Sequence, residues 1–429
     1  MPLVPKVLIS EIIEKENGTN TSAQIKLNYT GSLNFQMTAD ADTPVVYPTV
    51  KITVNHTKVL AAVDFVAFDL SLITDATFWS DVKSDGGDIR MYKADNATQI
   101  PFQVANINTT AKTGTIWFKS NDLSTSVDTD YYIHFGDISL DLLAHDDTYG
   151  SDNVWGGICE GVWHFDENTG TVAYDSSGNG RDGNFSGTKS WVAGQLGTAH
   201  EFDGTGDYFA CGANPITGSA AFTMMFIAKY PTFKDYSGVI TIGNCSVNYK
   251  GAYLGQSVNG IGGGFANVNK FAEAISAGWK HVVMTHAGGT NGALKIWVNN
   301  TLRVNTTTGA GITPIVTNDT IYLGRLGGYT QYDFPGTSDE IFLINKALSA
   351  NEQTTFYNAL MSNSTFFSVG SVNPETAPTW DTISLTSGTI ISHTFTVPGD
   401  EVRYRVIGSA GAKIYKNGSE PAIYIKLIK

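Results

Sequence analysis

The loop Gly327-Gly328-Tyr329-Thr330-Gln331-Tyr332-Asp333 holds the side chains of this chain best suited to grip a ligand. Two tyrosines stand beside flanking glycines with an amide between them. An aromatic face and a neighbouring amide are what stacking and hydrogen bonding to a sugar require. Tyr329, Gln331 and Tyr332 are therefore the candidate ligand-binding residues. Trp191 and Tyr253 stand in other turn-rich stretches, although aromatic residues of β proteins more commonly fill cores. Catalytic patterns are missing. A retaining glycosidase needs two carboxyls about 5.5 Å apart, which alternate residues of one strand can supply, yet no E-x-D-x-E or E-x-D-x-x-E run occurs. Asp339 and Glu340 are adjacent, so on a regular strand they point to opposite faces. No G-x-S-x-G, H-E-x-x-H or P-loop pattern is present, and the eight histidines show no metal spacing. The expectation is a protein that is not an enzyme.

The elements that must position these residues are strands. Short β-branched and aromatic runs recur at close intervals between Gly/Asn/Asp/Ser clusters: 50–54, 88–92, 115–119, 131–135, 222–230, 279–286 and 294–298. Such spacing signals antiparallel sandwiches rather than βαβ units. Lys295–Val304 reads as a hairpin around Asn299-Asn300, because Asn tolerates the positive φ of a type I′ turn. One helix is expected near residues 349–361, where Ser349 and Glu352 form a capping box ahead of Phe356, Tyr357 and Leu360. The fold class is all-β: multidomain antiparallel β-sandwiches with a central jelly roll.

At 429 residues the chain exceeds one hydrophobic core. We read an N-terminal β unit or assembly arm over 1–45, a β-sandwich over 46–150, a jelly roll over 151–370 and a small C-terminal β domain over 379–429. A proline-bearing linker, Asn373–Pro378, precedes the last. Charged residues make up 16%, against roughly 25% in an average domain. The net charge of −13 without a Lys/Arg cluster argues against nucleic acid as a partner. No run of 18 apolar residues exists, so no membrane insertion is expected. Residues 1–18 lack the cationic and apolar regions of a secretory signal. Cys159, Cys211 and Cys245 are too few for a disulfide framework and form no C-x-x-C pair. Thirteen N-x-S/T sequons, among them Asn55, Asn244, Asn299 and Asn363, mark either a glycosylated surface or merely Thr/Asn-rich turns.

Six segments in order resemble the laminin-G-like, concanavalin-A-type family over residues 161–360. They are Gly161-Val162-Trp163-His164-Phe165-Asp166-Glu167, the Asp175–Gly180 turn, Phe202-Asp203-Gly204 with Asp207-Tyr208-Phe209, Trp279-Lys280-His281-Val282-Val283, Leu294–Val298, and Gly336–Ile341 with Ala347-Leu348-Ser349 and Glu352. The preceding block, 45–145, resembles a domain of unknown function often found directly ahead of such modules. Phe78–Val82, Ser84–Arg90, Ile116–Phe118 and Tyr131–Gly136 carry that likeness. The first resemblance implies a lectin-like sandwich and, in many relatives, one calcium ion near its start and end. Hard oxygen donors suit that ion, and Asp175, Asn179, Asp207 and Asp339 are the matching positions. The alternative for Asp175 and Asn179 is an Asx-type turn held by its own side chains, and for Asp339 a capping or bulge contact.

Together these readings give a non-enzymatic virion structural and attachment protein: a tail fibre, head fibre or decoration subunit. Its partners would be other assembly subunits, copies of itself and a cell-surface glycan. A secreted or cell-surface adhesin or filament subunit of a bacterium or archaeon is the first alternative, placing the chain outside the cell. A carbohydrate-active enzyme or its binding module is the second.

Overall fold

The computed structural model describes residues 47–373, except 156, 189, 233 and 258–259, together with the backbone of strands in both terminal segments. The chain divides into two compact units, 1–48 with 374–429, and 49–373. In the terminal unit Leu33–Thr38 pairs with both Asp381–Leu385 and Glu401–Gly408, and Ala23–Leu27 pairs with Ala412–Lys416. Segments read separately as 1–45 and 379–429 thus build one unit from both ends of the chain. Linker residues 374–378 lie outside the described residues.

The larger unit contains two sandwiches. In the first, the sheet Phe367–Asn373, Thr49–Val54, Thr129–His134, Arg90–Lys93 faces the sheet Phe65–Asp69, Thr113–Lys119, Phe102–Asn108. Phe118 bridges the layers, 4.8 Å from Tyr131 and 6.3 Å from Phe367. The strand Phe367–Asn373 is the informative member. It pairs with Thr49–Val54, Phe367 opposite Val54 and Asn373 opposite Thr49. The chain therefore leaves the first sandwich near residue 150, builds the second, and returns to complete the first. A boundary at 370 falls inside this strand, and the second sandwich is an insertion rather than the next domain in line.

The second sandwich is a jelly roll of two eight-stranded sheets. One runs Trp191–Ala193, Thr198–Asp203, Pro335–Ile344, Phe222–Lys229, Trp279–His286, Ala293–Val298, Thr301–Thr307, with Cys159–Trp163 also joined to Pro335–Ile344. The other runs Val172–Ala173, Gly183–Ser186, Tyr208–Ala213, Thr320–Leu323, Ser237–Gly243, Gly251–Ser257, Gly260–Phe265, Val268–Glu273. The apolar runs FTMMFIA (222–228) and IFLI (341–344) show why the first of these sheets sits in the middle. A strand apolar on both faces must be covered on both. Met224, Phe226, Val282, Met284 and Leu343 enter the core between the two sheets. The alternate residues Met225, Ile227, Val283, Phe342 and Ile344 enter a core shared with the first sandwich.

The expected helix spans Ala350–Met361, with the Ser349–Glu352 capping box formed in both directions. Its far side ties to the first sandwich: Thr355 Oγ1 accepts from Leu60 N and Ala61 N, and Asn358 Nδ2 donates to Lys58 O. Two further helices, Ala76–Asp81 and Asn363–Phe366, correct the single-helix reading. Both are too short to show a helical period, so only the Asp75 cap, accepting from Thr77 N, was readable. Asn299 and Asn300 have φ of 46° and 62°, the left-handed values the expected hairpin turn requires. Among the sequon asparagines, Asn363 is buried and bonded to Asp69, Ala67 and Ala359, which leaves no room for a glycan. Among the described residues no helix is long and apolar enough to cross a membrane.

Because Phe342 is fully buried in the shared core, Phe342→Ala should cost about 3–5 kcal/mol. Limited proteolysis across a temperature ramp should show both sandwiches of the variant becoming cleavable together. Early cleavage confined to residues 155–362 would contradict a shared core.

Candidate functional site

Where the two sandwiches meet, a polar cluster is buried among aromatic rings. His164 Nδ1 lies 2.6 Å from Glu340 Oε2, with the side chains 4% and 0% exposed. Trp117 of the first sandwich stacks on the imidazole at 5.2 Å and 27°, and Trp155 lies 5.3 Å away. Glu340 has φ of 50° and Phe165 has φ of 59°, conformations uncommon for residues with a Cβ. At Glu340 the pairing with Phe222–Lys229 shifts register, Asp339 opposite Ile227 but Phe342 opposite Met225. This bulge breaks strand alternation, so the opposite-face argument for Asp339 and Glu340, which presumes a regular strand, does not hold. Burial raises the carboxyls of Asp339 and Glu340 well above their usual range and lifts Asp166 to about 6. It also lowers His164 to about 4. The form that burial favours is a neutral carboxylic acid donating to a neutral imidazole. Gly197 makes the close approach between the sandwiches feasible: a Cβ there would come within 2.2 Å of Asn106 Nδ2 and 2.3 Å of Asp166 Oδ1. The cluster is buried where the two sandwiches pack, with rings of the first sandwich against the His164 imidazole.

The four calcium positions do not converge. Asp175 accepts from the backbone N–H groups of Val162, Ser177 and Arg181, and Asn179 Nδ2 donates to Cys159 O and Ser177 Oγ. Asp207 accepts from Thr188 N and Asp203 N, and Asp339 from Gln195 N and Leu196 N. Each carboxylate organises its own backbone amides: Asp175 in the Asx-type turn that was its alternative, Asp339 as a capping contact. Among the described residues no group of three or more His, Cys, Asp or Glu side chains is arranged to hold a metal. The residues present do not fit one shared ion.

The tyrosine loop is assembled. A row across the second sheet runs Tyr322, Thr241, Tyr253, Gly264, Asn269 on adjacent strands. These side chains alternate with the core residues Ile240, Ile242, Ala252 and Leu254, so they face outward. Over this row folds the segment 326–333, closed by Leu326 N donating to Tyr332 O and by Cys245 N donating to Gly327 O. Its base is fixed by Arg325, which donates to both carboxylate oxygens of the buried Asp333, at 2.5 and 3.2 Å. The Arg325 guanidinium also lies 3.6 Å over the Tyr208 ring, and a planar, always-charged fork suits both contacts. Gly328, at φ of 85°, would place a Cβ 2.5 Å from Asn244 Oδ1, so only glycine lets the loop lie this close.

Tyr329 and Tyr332 meet edge to face at 5.0 Å, and Tyr236 joins Tyr332 at 6.0 Å. The three half-buried rings rest on Cys245, Leu326 and Tyr253, and none of their hydroxyls finds a partner among the described residues. Gln331 is exposed beside them, with its Oε1 accepting from Thr330 N. Tyr253 is buried, its hydroxyl donating to Asn269 Oδ1. Trp191 packs on His200 at 5.0 Å and donates to Gly170 O, an edge of the core rather than a platform. Tyr236 escaped the sequence reading because an aromatic before Ser-Gly looks like any strand start. The site offers a rigid aromatic surface ringed by amide and hydroxyl groups.

The inserted jelly roll, with its loop-borne aromatic cluster, is carried on a second β-sandwich. Residues 203–352 match the family model of the concanavalin A-like lectin/glucanases superfamily, and residues 85–179 match a domain of unknown function, DUF2341. Solved structures resemble the chain weakly. Domain 4 of AbnA, an extracellular arabinanase from Geobacillus stearothermophilus solved with arabinotriose, is 19% identical over 47% of this chain and 98% of its own, at a TM-score of 0.38. The binding domain of botulinum neurotoxin serotype D/C is 13% identical over 48% of this chain and 53% of its own, at 0.38. The Trypanosoma rangeli sialidase is 15% identical over 56% and 41%, at 0.33. No curated protein matches the chain.

Two measurements follow from this geometry. With Asp166 raised to about 6, the folded protein holds a proton that the unfolded chain has lost between about pH 4 and 6. That contribution to stability is complete below pH 4 and is lost as pH rises through 6. Asp166→Asn should therefore be near neutral at pH 4 and stabilising by about 3 kcal/mol above pH 7, read by denaturant unfolding at each pH. A difference from the parent that stays flat from pH 4 to 7 would sink the assignment. Separately, excess chelator should leave the Tm of the chain unchanged, whereas a saturable rise with added calcium would contradict the three-turn reading.

Proposed function

We propose that this chain is a non-enzymatic attachment protein whose inserted sandwich touches a cell-surface glycan through Tyr236, Tyr329 and Tyr332. The observation that carries this reading is the half-exposed trio of rings, held on a stapled loop with its hydroxyls unengaged. Tyrosine supplies a large contact area at little entropic cost and a polar tip for hydrogen bonding. The match of residues 203–352 to a superfamily of lectins and glucanases supports the same reading. Within the lectin or glucanase choice, binding is favoured because Asp339 and Glu340 are fully buried and engaged with backbone amides and an imidazole.

The setting we propose is a virion, with the chain as a fibre or decoration subunit that assembles with copies of itself and with other structural subunits. Modular β architecture supports it, as does a terminal unit built from both chain ends. The second reading, a secreted or cell-surface adhesin of a bacterium or archaeon, draws on the sequon-bearing turns. An N-terminal mass taken on native-source material separates them: retained Met1 favours the virion, and a trimmed leader favours the adhesin.

Binding itself is tested on a glycan array followed by titration of the best hit. Tyr329→Ala and Tyr332→Ala should each weaken binding at least tenfold, about 1.4 kcal/mol, while circular dichroism and Tm stay near those of the parent. Unchanged affinity in both folded variants would rule this surface out.

A further inference from the structure

The sequons play no part in the glycan-contact reading, and their number calls for a cause of its own. Thirteen of the 30 asparagines stand in N-x-S/T sequons. With 79 serines and threonines in 429 residues, chance placement at the third position gives only about five or six. Nine of the thirteen lie among the described residues.

What separates these nine is the use each makes of its amide nitrogen. An N-glycan is carried on Nδ2, so that atom has to be free and reachable. Six asparagines outside sequons spend Nδ2 on an oxygen of the chain: Asn153, Asn179, Asn214, Asn267, Asn345 and Asn358. Inside the sequons, among the described residues, only Asn363 does so, and it is buried. Asn55, Asn244 and Asn299 are half-buried. Their side-chain oxygens accept from the backbone N–H groups of Thr57, Ser246 and His281, which holds each amide against the main chain.

The other five, Asn96, Asn108, Asn184, Asn305 and Asn318, are exposed, and among the described residues no Nδ2 of theirs finds a partner. Asn96 sits in the connection between Arg90–Lys93 and Phe102–Asn108, with φ of 54° and its Oδ1 2.6 Å from His134 Nε2. Asn108 opens an Asx-type turn, its Oδ1 accepting from Thr110 N and Ala111 N, which leaves Nδ2 to solvent. Asn184 and Asn305 follow the buried Gly183 and Val304 on their strands, so alternation turns them outward.

We propose that these five asparagines carry N-linked glycans. In the transfer, Nδ2 attacks C1 of the first sugar of a lipid-linked oligosaccharide diphosphate. The C1–N bond forms, the C1–O bond to phosphate breaks, and the diphosphate leaves on its lipid. One amide proton passes to a base of the transferase. Asn305 gives the modification a physical use. Its strand, Thr301–Thr307, is the outermost of its sheet, and a bulky hydrophilic group there blocks edge-to-edge pairing with another molecule. The bare Asn244 lies against Gly328 of the tyrosine loop, so that surface stays open. The proposal goes beyond the glycan contact and does not depend on it.

The test is the mass of the full chain taken from its native source, followed by glycopeptide mapping. The intact mass should exceed that of the polypeptide by several oligosaccharides. Sugar should sit on the peptides that contain the five exposed asparagines and be missing from the one that contains Asn363. Asn108→Gln, made in the same host, should lose the mass of one glycan and keep the Tm of the parent. The proposal is overturned if the native chain has the mass of the bare polypeptide, or if sugar sits on serine or threonine hydroxyls alone. It is overturned equally if Asn363 is modified while the five exposed positions are bare.

Discussion

The contact that the rest of the larger unit depends on is the packing of Trp117 and Phe65 against His164 and Phe342. Phe65 stacks on Phe342 at 5.7 Å, and Trp117 meets Phe342 at 5.4 Å and His164 at 5.2 Å. Through these four side chains the strands Phe65–Asp69 and Thr113–Lys119 of one sandwich meet the central strand Pro335–Ile344 and the end of Cys159–Trp163 in the other. Burying such rings contributes roughly 2–3 kcal/mol apiece. Part of that offsets the burial of Glu340, Asp339 and Asp166, which must stay protonated or hydrogen-bonded to remain there. An apolar junction would be cheaper. The polar one fixes register, because Glu340 reaches His164 only from a bulge in the left-handed region.

This lock explains how an insertion can be rigid. The second sandwich leaves the first near residue 150 and returns through the helix Ala350–Met361 and the strand Phe367–Asn373, whose partner Thr49–Val54 opens the unit. Two crossings of the chain alone would leave a hinged appendage. Here the central sheet is buried on both faces, so the inserted sandwich has no slack at its base. Its outward loops, with the Arg325–Asp333 staple and the three tyrosines, are then held by that base, as the proposed glycan contact requires. Preorganisation of that kind favours affinity by lowering the entropic cost of association.

Much of this was legible in the residues, and the illegible parts share a cause. The apolar run 222–228, the Asn299-Asn300 hairpin and the Ser349–Glu352 capping box announce themselves because each is a local rule acting alone. The Tyr329/Tyr332 loop stands out for the same reason, since glycines free it. Long-range pairing is silent in sequence. Phe367–Asn373 reads as one more strand, and nothing nearby says that its partner lies more than three hundred residues earlier. The bulge at Glu340 is silent too, because alternation presumes a regular strand. Turn carboxylates such as Asp175, Asp207 and Asp339 carry the same local signature whether they bind an ion or cap backbone amides. Only the positions of neighbouring N–H groups decide between the two. Tyr236 is silent in sequence because exposure, not residue type, separates a surface ring from a core ring.

Native-state hydrogen exchange tests the shared lock most directly. The account predicts that the slowest amides of Thr113–Lys119 in the first sandwich and of Asp339–Ile344 in the second exchange through one common opening. Their opening free energies should be equal and should respond identically to denaturant. Distinct opening energies, with either sandwich exchanging while the other stays protected, would show two independent domains and contradict the account.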